Sequence, residues 1–333
     1  MNDRQSLCFD DVLMVPQFSD IESRKQIDIG NNLSDMQLSM PVISAPMDTV
    51  TETSMARTMS KYGGLGIIHR YNTIDEQVKL VRRCIHGSKD ENVAAAIGVT
   101  GDFLERAIEL NKEGVKVLCI DVAHGHHVMM RYALEVLKNT FGDTPHIMAG
   151  NVATLKAFND LADWGADSIR VGIGGGSICS TRIQTGHGVP TLQSIIECAQ
   201  TDREAKIIAD GGIKNSGDIV KALAAGSDFV IVGSLLAGTT QSPGEVFYKG
   251  GHKLKTYRGM ASAEAQKLEG VSTSIPFKGH AGDILNNIKR GIRSGLSYSG
   301  ARNLAELRAK AQFIKQTAAA QIESNTHIDM RYK

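Results

Sequence analysis

The chain has 333 residues, of which 42% are hydrophobic and 22% charged, and its 37 basic and 36 acidic side chains leave a formal net charge of +1. That composition suits a soluble globular protein with a large core, and the interspersed charges exclude an electrostatic case for nucleic acid or an anionic membrane as partner. The opening residues, MNDRQSLCFDDVL, hold no apolar run behind a basic segment, and no apolar stretch reaches the ~18 residues of a membrane-spanning helix, so a cytoplasmic protein without a signal peptide is expected.

In chain order, residues 1–40 precede the first long apolar run and are expected to cap the fold. Short runs rich in Val, Ile, Leu and Ala then recur at 41–47 (PVISAPM), 64–70 (GLGIIHR), 93–99 (VAAAIGV) and 115–125 (VKVLCIDVAHG). Others follow at 146–152 (HIMAGNV), 168–174 (SIRVGIG), 206–213 (KIIADGGI) and 229–238 (FVIVGSLLAG). Near-continuous apolar character is what strands buried on both faces require, as in a parallel sheet. Between them, stretches such as DFLERAIELNKEG and TLKAFNDLADWGA space apolar residues three and four apart and close on a glycine, which predicts helices. Eight strand candidates in βα alternation predict an α/β fold of the (β/α)8 TIM-barrel type. A doubly wound open sheet is the alternative, and it is disfavoured because no GxGxxG follows the first strand. Residues 239–280 form a long excursion after strand eight, read as a flap, and the tail from Ile284 to Phe313 reads as closing helices. Residues 1–333 thus read as one barrel domain.

Barrel chemistry sits where strands run out into loops. Ser44, Met47 and Asp48 follow strand one, His69 and Arg70 strand two, Asp121 and His124 strand four, Asn151 strand five, Cys179 strand six, Asp210 strand seven and Ser234 strand eight. The five cysteines form no CxxC pair, which fits a reducing compartment better than a disulfide framework or a zinc site. Cys8, Cys84, Cys119 and Cys198 read as core thiols. Cys179 differs, because it lies between a glycine run and STR at a strand exit, where backbone N–H groups favour a thiolate. His124, His126 and His127 in AHGHH lack complete metal-ligand spacing and read as loop histidines. Small residues in ADGGI (209–213) and VGSLLAG (232–238) stand where barrels bind a phosphate through backbone amides. Together these features point to a 5′-nucleotide with its phosphate near strands seven and eight and its base near Cys179.

FDDVLMVP (9–16), SAPMDTVTE (44–52), AGNVAT (149–154), GIGGGSICSTR (172–182), ADGGI, VGSLLAG and YRGM (257–260) resemble the signature segments of the IMP dehydrogenase/GMP reductase family, from about residue 9 to about residue 315. One departure is Gly175, where the family more often has proline or serine. The resemblance implies that Cys179 attacks C2 of a purine nucleotide to give a thioimidate, a covalent step that divides one hard displacement into two. It assigns proton transfer to Thr181 and Glu269, and the nucleotide to Ser177, Asp210, Gly211, Gly212, Gly233, Ser234, Gly259, Met260, Ala261 and Gly270. It assigns the cofactor to Ser23, Arg24, Arg70, Asp121, Val122, Ala123, Ile173 and Gly174. A monovalent cation, K+, would rest on the carbonyls of Gly174, Gly176 and Cys179, and the chain would form a homotetramer.

Three features favour the reductase, which converts GMP to IMP with NADPH. The sequence runs from VRRCIHGSKDEN straight into strand three, without the CBS modules that dehydrogenases usually insert. Residues 259–280 contain neither the arginine nor the tyrosine of the dehydrogenase flap. Ser23 and Arg24 match a reductase segment that contacts NADPH, and arginine suits a phosphate through its fork of donors. Against these, TYRGM, FDDVLMVP and VTE read like dehydrogenase versions, and Gln266 stands where some reductases carry an arginine. The alternatives are a dehydrogenase that oxidises IMP with NAD and, in a different class, a purine-nucleotide sensor without chemistry.

Overall fold

Eight parallel strands close on themselves in sequence order: β1 (Val42–Ser44), β2 (Leu65–Ile68), β3 (Val93–Ile97), β4 (Val117–Asp121), β5 (His146–Val152), β6 (Ser168–Val171), β7 (Lys206–Asp210) and β8 (Phe229–Val232). The computed structural model describes residues 5–85, 92–259 and 272–324. Pairing of Val230 with Val42 and of Val232 with Ser44 shuts the barrel, so the open-sheet alternative is excluded. All eight strands fall inside the apolar runs read from the sequence. Their burial on both faces follows, since one set of side chains fills the barrel and the other meets the helices. Helices Phe103–Lys112 and Leu155–Asp163 occupy the amphipathic stretches, and Gly114 (φ +88°) turns the chain after the first of them. Thr154 starts the second helix by accepting the Ala157 N–H at 3.3 Å.

The barrel interior is plugged from below. Strands Asn31–Leu33 and Met36–Leu38 form a hairpin whose Leu33, Met36 and Leu38 pack with Ile67, Ala94, Met148 and Phe229. This is the cap expected from residues 1–40. A pairing that the sequence did not suggest joins the ends of the chain, because Val12–Met14 runs antiparallel to Phe313–Lys315. The excursion after β8 is a three-stranded antiparallel sheet of Phe247–Lys249, His252–Arg258 and Ser272–Pro276. It is tied down by Lys255, only 2% exposed, whose Nζ donates to the carbonyls of Thr239 and Ser242 at 3.1 and 2.5 Å. Arg258 adds an ion pair to Asp48. Only residues 86–92 separate helix Ile74–Ile85 from β3, too few for an inserted module at that point. Among the described residues no helix is long and apolar enough to cross a membrane.

His146 links the plug to the barrel: its Nδ1 lies 2.6 Å from Ser34 Oγ and its Nε2 2.8 Å from Ser168 Oγ. Burial disfavours its charged form and brings its pKa from 6.5 to about 4, with Asp167 pulling weakly the other way. The unfolded chain therefore takes up this proton at a higher pH than the folded one. Stability from a neutral His146 is complete above 6.5 and is lost as the pH falls towards 4. Thermal midpoints should drop across that window, and His146→Gln should flatten the drop. Identical pH profiles for the two proteins would remove His146 from the acid response.

Candidate active site

A cleft of about 640 Å³ opens at the C-terminal ends of the strands, lined by residues from the ends or exit loops of all of them but β3, and by Cys8, Phe9 and Asp10. Cys179 is exposed there and donates its thiol hydrogen to Thr181 Oγ1 at 3.2 Å. Its loop is rich in glycine because two backbones meet. Gly172 has φ +145°, and a Cβ on it would run into the Asp210 carbonyl oxygen. From the facing loop, a Cβ on Gly211 (φ +88°) would lie 3.0 Å from the Gly176 nitrogen. The exits of β6 and β7 therefore brace each other main chain to main chain. The Cys179 N–H closes a turn onto the Gly176 carbonyl at 3.1 Å, and Ile173 bridges to Val189. A flexible composition becomes a fixed shape.

Beneath this loop lies an ionic bridge. Arg170, on β6, is 7% exposed and pairs with Asp121 at the end of β4 and with Asp210 at the end of β7. Asp210 Oδ2 accepts from Arg170 Nη2 at 2.8 Å, Arg170 Nε at 3.2 Å and Asn151 Nδ2 at 2.9 Å. All of these bonds fall on Oδ2, so Oδ1 is the oxygen available to a ligand hydroxyl. Burial by itself would weaken Arg170's hold on its proton, but the two aspartates outweigh it and raise its pKa well above the ordinary value. Asn151 reaches this network, and the Gly172 carbonyl at 2.8 Å, from an irregularity in the β5 ladder between Gly150 and Val152.

Most of the expected residues come together. Ser177, Cys179, Thr181, Asp210, Gly211, Gly212, Gly233, Ser234 and Gly259 line the cleft. So do Arg70, Asp121, Val122, Ala123, Ile173, Gly174 and Gly176. Arg70 Nη2 donates to the Asp121 carbonyl at 3.1 Å. Ser23 and Arg24 do not line it; Ser23 Oγ accepts the Lys25 N–H at 3.3 Å in a short turn packed against helix Ala281–Tyr298. Met260, Ala261, Gln266, Glu269 and Gly270 lie outside the described residues. Cys84, Cys119 and Cys198 are buried as read, and burial pushes the Cys119 and Cys198 thiols up to about 12. Cys8 corrects the core reading, since it is half-buried and faces the cleft. Of the histidines, His126 meets Asp160 at 2.7 Å and stacks on Trp164, while His127 Nδ1 caps helix Val128–Phe141.

Two site residues were missed. Arg170 had a signal, as the charged side chain in the otherwise apolar SIRV. Tyr257 had none beyond its motif. It is 5% exposed, reaches the cleft, and has its pKa raised by burial against a hydrogen bond to Ser177.

The closed barrel and the thiol at its mouth define a (β/α)8 protein with its site at the strand C-termini. The family model for the IMP dehydrogenase / GMP reductase domain matches residues 6–327. Inosine-5′-monophosphate dehydrogenase of Nitrosopumilus maritimus is 34% identical, over 98% of this chain and 99% of that protein. GMP reductase of Leishmania major is 31% identical over 97% of each. Among solved structures, a cysteine-to-alanine variant of Trypanosoma brucei GMP reductase in complex with guanosine 5′-monophosphate matches with a TM-score of 0.91, at 29% identity and 98% coverage of each chain. The chain belongs to the IMP dehydrogenase/GMP reductase family, whose members are oxidoreductases.

The alignments to those two relatives run over 472 and 476 positions against 333 residues here. Relatives under both names thus carry sequence that this chain lacks. The missing insertion therefore does not separate reductase from dehydrogenase, and that part of the sequence argument falls.

Removing Arg170 leaves two mostly buried carboxylates without a counter-charge. Arg170→Met should lower stability by about 3–5 kcal/mol, as for breaking a buried ion pair from one side. Urea unfolding would measure it, and an unchanged midpoint would show that Asp121 and Asp210 are solvated without the guanidinium.

Proposed function

We propose that the chain catalyses the reductive deamination of GMP: GMP + NADPH + 2 H+ → IMP + NADP+ + NH4+. One observation carries the reading. A Cys179 thiol hydrogen-bonded to Thr181 faces a nucleotide-sized cleft, followed by a flap sequence, 259–280, with no arginine and no tyrosine.

Cys179 Sγ bonds to purine C2, and the bond from C2 to the exocyclic nitrogen breaks, releasing ammonia and leaving a thioimidate. Thr181 and Glu269 move the proton that the departing nitrogen needs. NADPH, when bound, would supply a hydride to C2, and Cys179 would leave as the thiolate as the C–S bond breaks. Asp210 Oδ1 takes ribose hydroxyls, and the exit loops carrying Ser177, Gly212, Gly233 and Ser234 take the phosphate through backbone amides. Gly259 lines the same cleft, and the resemblance assigns Met260, Ala261 and Gly270 to the nucleotide as well. Asp121, Val122, Ala123, Ile173, Gly174 and Arg70, which line the same cleft, would hold the cofactor. Ser23 and Arg24 keep a place only through a neighbouring copy of the chain, in the homotetramer that the resemblance implies. The carbonyls of Gly174, Gly176 and Cys179 would supply backbone oxygen ligands of the kind K+ takes.

The second reading is IMP oxidation by NAD, favoured by the 34% identity to a relative named dehydrogenase. Absorbance at the NADPH band separates the two. The expected result is consumption of NADPH with GMP, slow or no reduction of NAD with IMP, and loss of turnover in Cys179→Ser. Fast XMP formation from IMP and NAD would replace the reductase by the dehydrogenase. Nucleotide binding without either turnover would leave a sensor.

A further inference from the structure

Gly175 is a glycine for an unusual reason. Its φ lies outside the left-handed region, so its backbone admits any residue. A Cβ placed on it would stand at ordinary distances, 3.4 and 3.5 Å, from Gly211 C and Gly212 N, and would collide with one atom alone, Thr191 Oγ1. Thr191 opens helix Thr191–Cys198 and is 3% exposed. Its hydroxyl is buried, has no hydrogen-bond partner among the described residues, and also sits 3.3 Å from where a Cβ on Gly172 would be. A buried hydroxyl without a partner is a cost to the fold, and valine would fill the same space without it. Thr191 is β-branched, so its rotamers are few and it behaves as a stiff wedge.

We propose that Thr191 is a positioning residue for Cys179: its side chain, fixed on the helix, is the surface against which the glycine loop is set, and Gly175 is the matching recess. The proposal rests on the reading of Cys179 as the nucleophile, but not on which nucleotide it attacks. Thr191 sets the loop by contact alone, with no hydrogen bond from its own hydroxyl to it. Filling the recess should therefore move the thiol, and removing the wedge should accommodate the filling.

The test is a double-mutant cycle of Gly175→Ala and Thr191→Ala, read by turnover and by the rate at which iodoacetamide alkylates Cys179, mapped by mass spectrometry. Gly175→Ala should lower kcat by about tenfold or more while KM for the nucleotide changes little, as expected when a reacting group is displaced. Its alkylation rate should depart from that of the parent. Adding Thr191→Ala should restore most of both. A double variant as impaired as Gly175→Ala, or a Gly175→Ala enzyme indistinguishable from the parent, would overturn the proposal. If Gly175→Ala does not fold, the double variant is compared with Thr191→Ala: equal solubility and alkylation support the pairing, and an insoluble double variant overturns it. Alkylation needs no nucleotide, so an error about the substrate would leave this outcome intact.

Discussion

Everything at the barrel mouth is arranged around one buried guanidinium. Arg170 points from β6 into a space that would otherwise hold two carboxylates, Asp121 from β4 and Asp210 from β7. Neither aspartate tolerates that place alone, and neither would the arginine. A buried ionic group of this kind contributes little net stability compared with well-packed apolar residues. Its effect is on geometry, because Arg170 fixes the distance between the side of the cleft that contains Asp121 and the side that contains Asp210. Asn151 extends the same restraint to β5 through its bond to Asp210. Cys179 hangs from the loop directly after Arg170, so the thiol inherits a position that four strand ends have already agreed on.

The architecture was legible because the barrel writes itself as short runs buried on both faces. Each run is apolar throughout, and no partner strand need be known to see it. The helices were legible for a similar local reason, namely spacing and a terminal glycine. What escaped depends on distant pairing. Val12–Met14 against Phe313–Lys315 joins two three-residue strands that lie some 300 positions apart, and neither carries a pattern of its own. Cys8 was read as a core thiol because a lone cysteine usually is one, yet the N-terminal segment returns over the mouth beside Phe9 and Asp10. Ser23 and Arg24 matched a motif, but a motif does not say on which side of the barrel its residues stand.

The site shows the same division. Of the residues named at strand exits, Met47, Arg70, Asp121, Asn151, Cys179, Asp210 and Ser234 line the cleft, since in a parallel barrel all exits share one end, whereas Ser44, Asp48, His69 and His124 do not. Arg170 was passed over because it lies within the strand rather than at its exit, inside the apolar run, where a charge reads as an anomaly rather than as a keystone. Tyr257 belongs to the excursion after β8, whose placement depends on the Lys255 and Arg258 anchors and not on any local periodicity.

The thiol is held by main-chain contact between the exits of β6 and β7, and by the floor below them, none of which involves the flap. Residues 239–280 are attached at their base by Lys255, Arg258 and Lys278, which donate to backbone carbonyls and to Asp48. Tyr257, between two of those anchors, is hydrogen-bonded to Ser177, so the base of this excursion touches the cysteine loop. Beyond Arg258, residues 259–280 carry Glu264 and Glu269 and neither arginine nor tyrosine, the composition on which the proposed reductase reading rests.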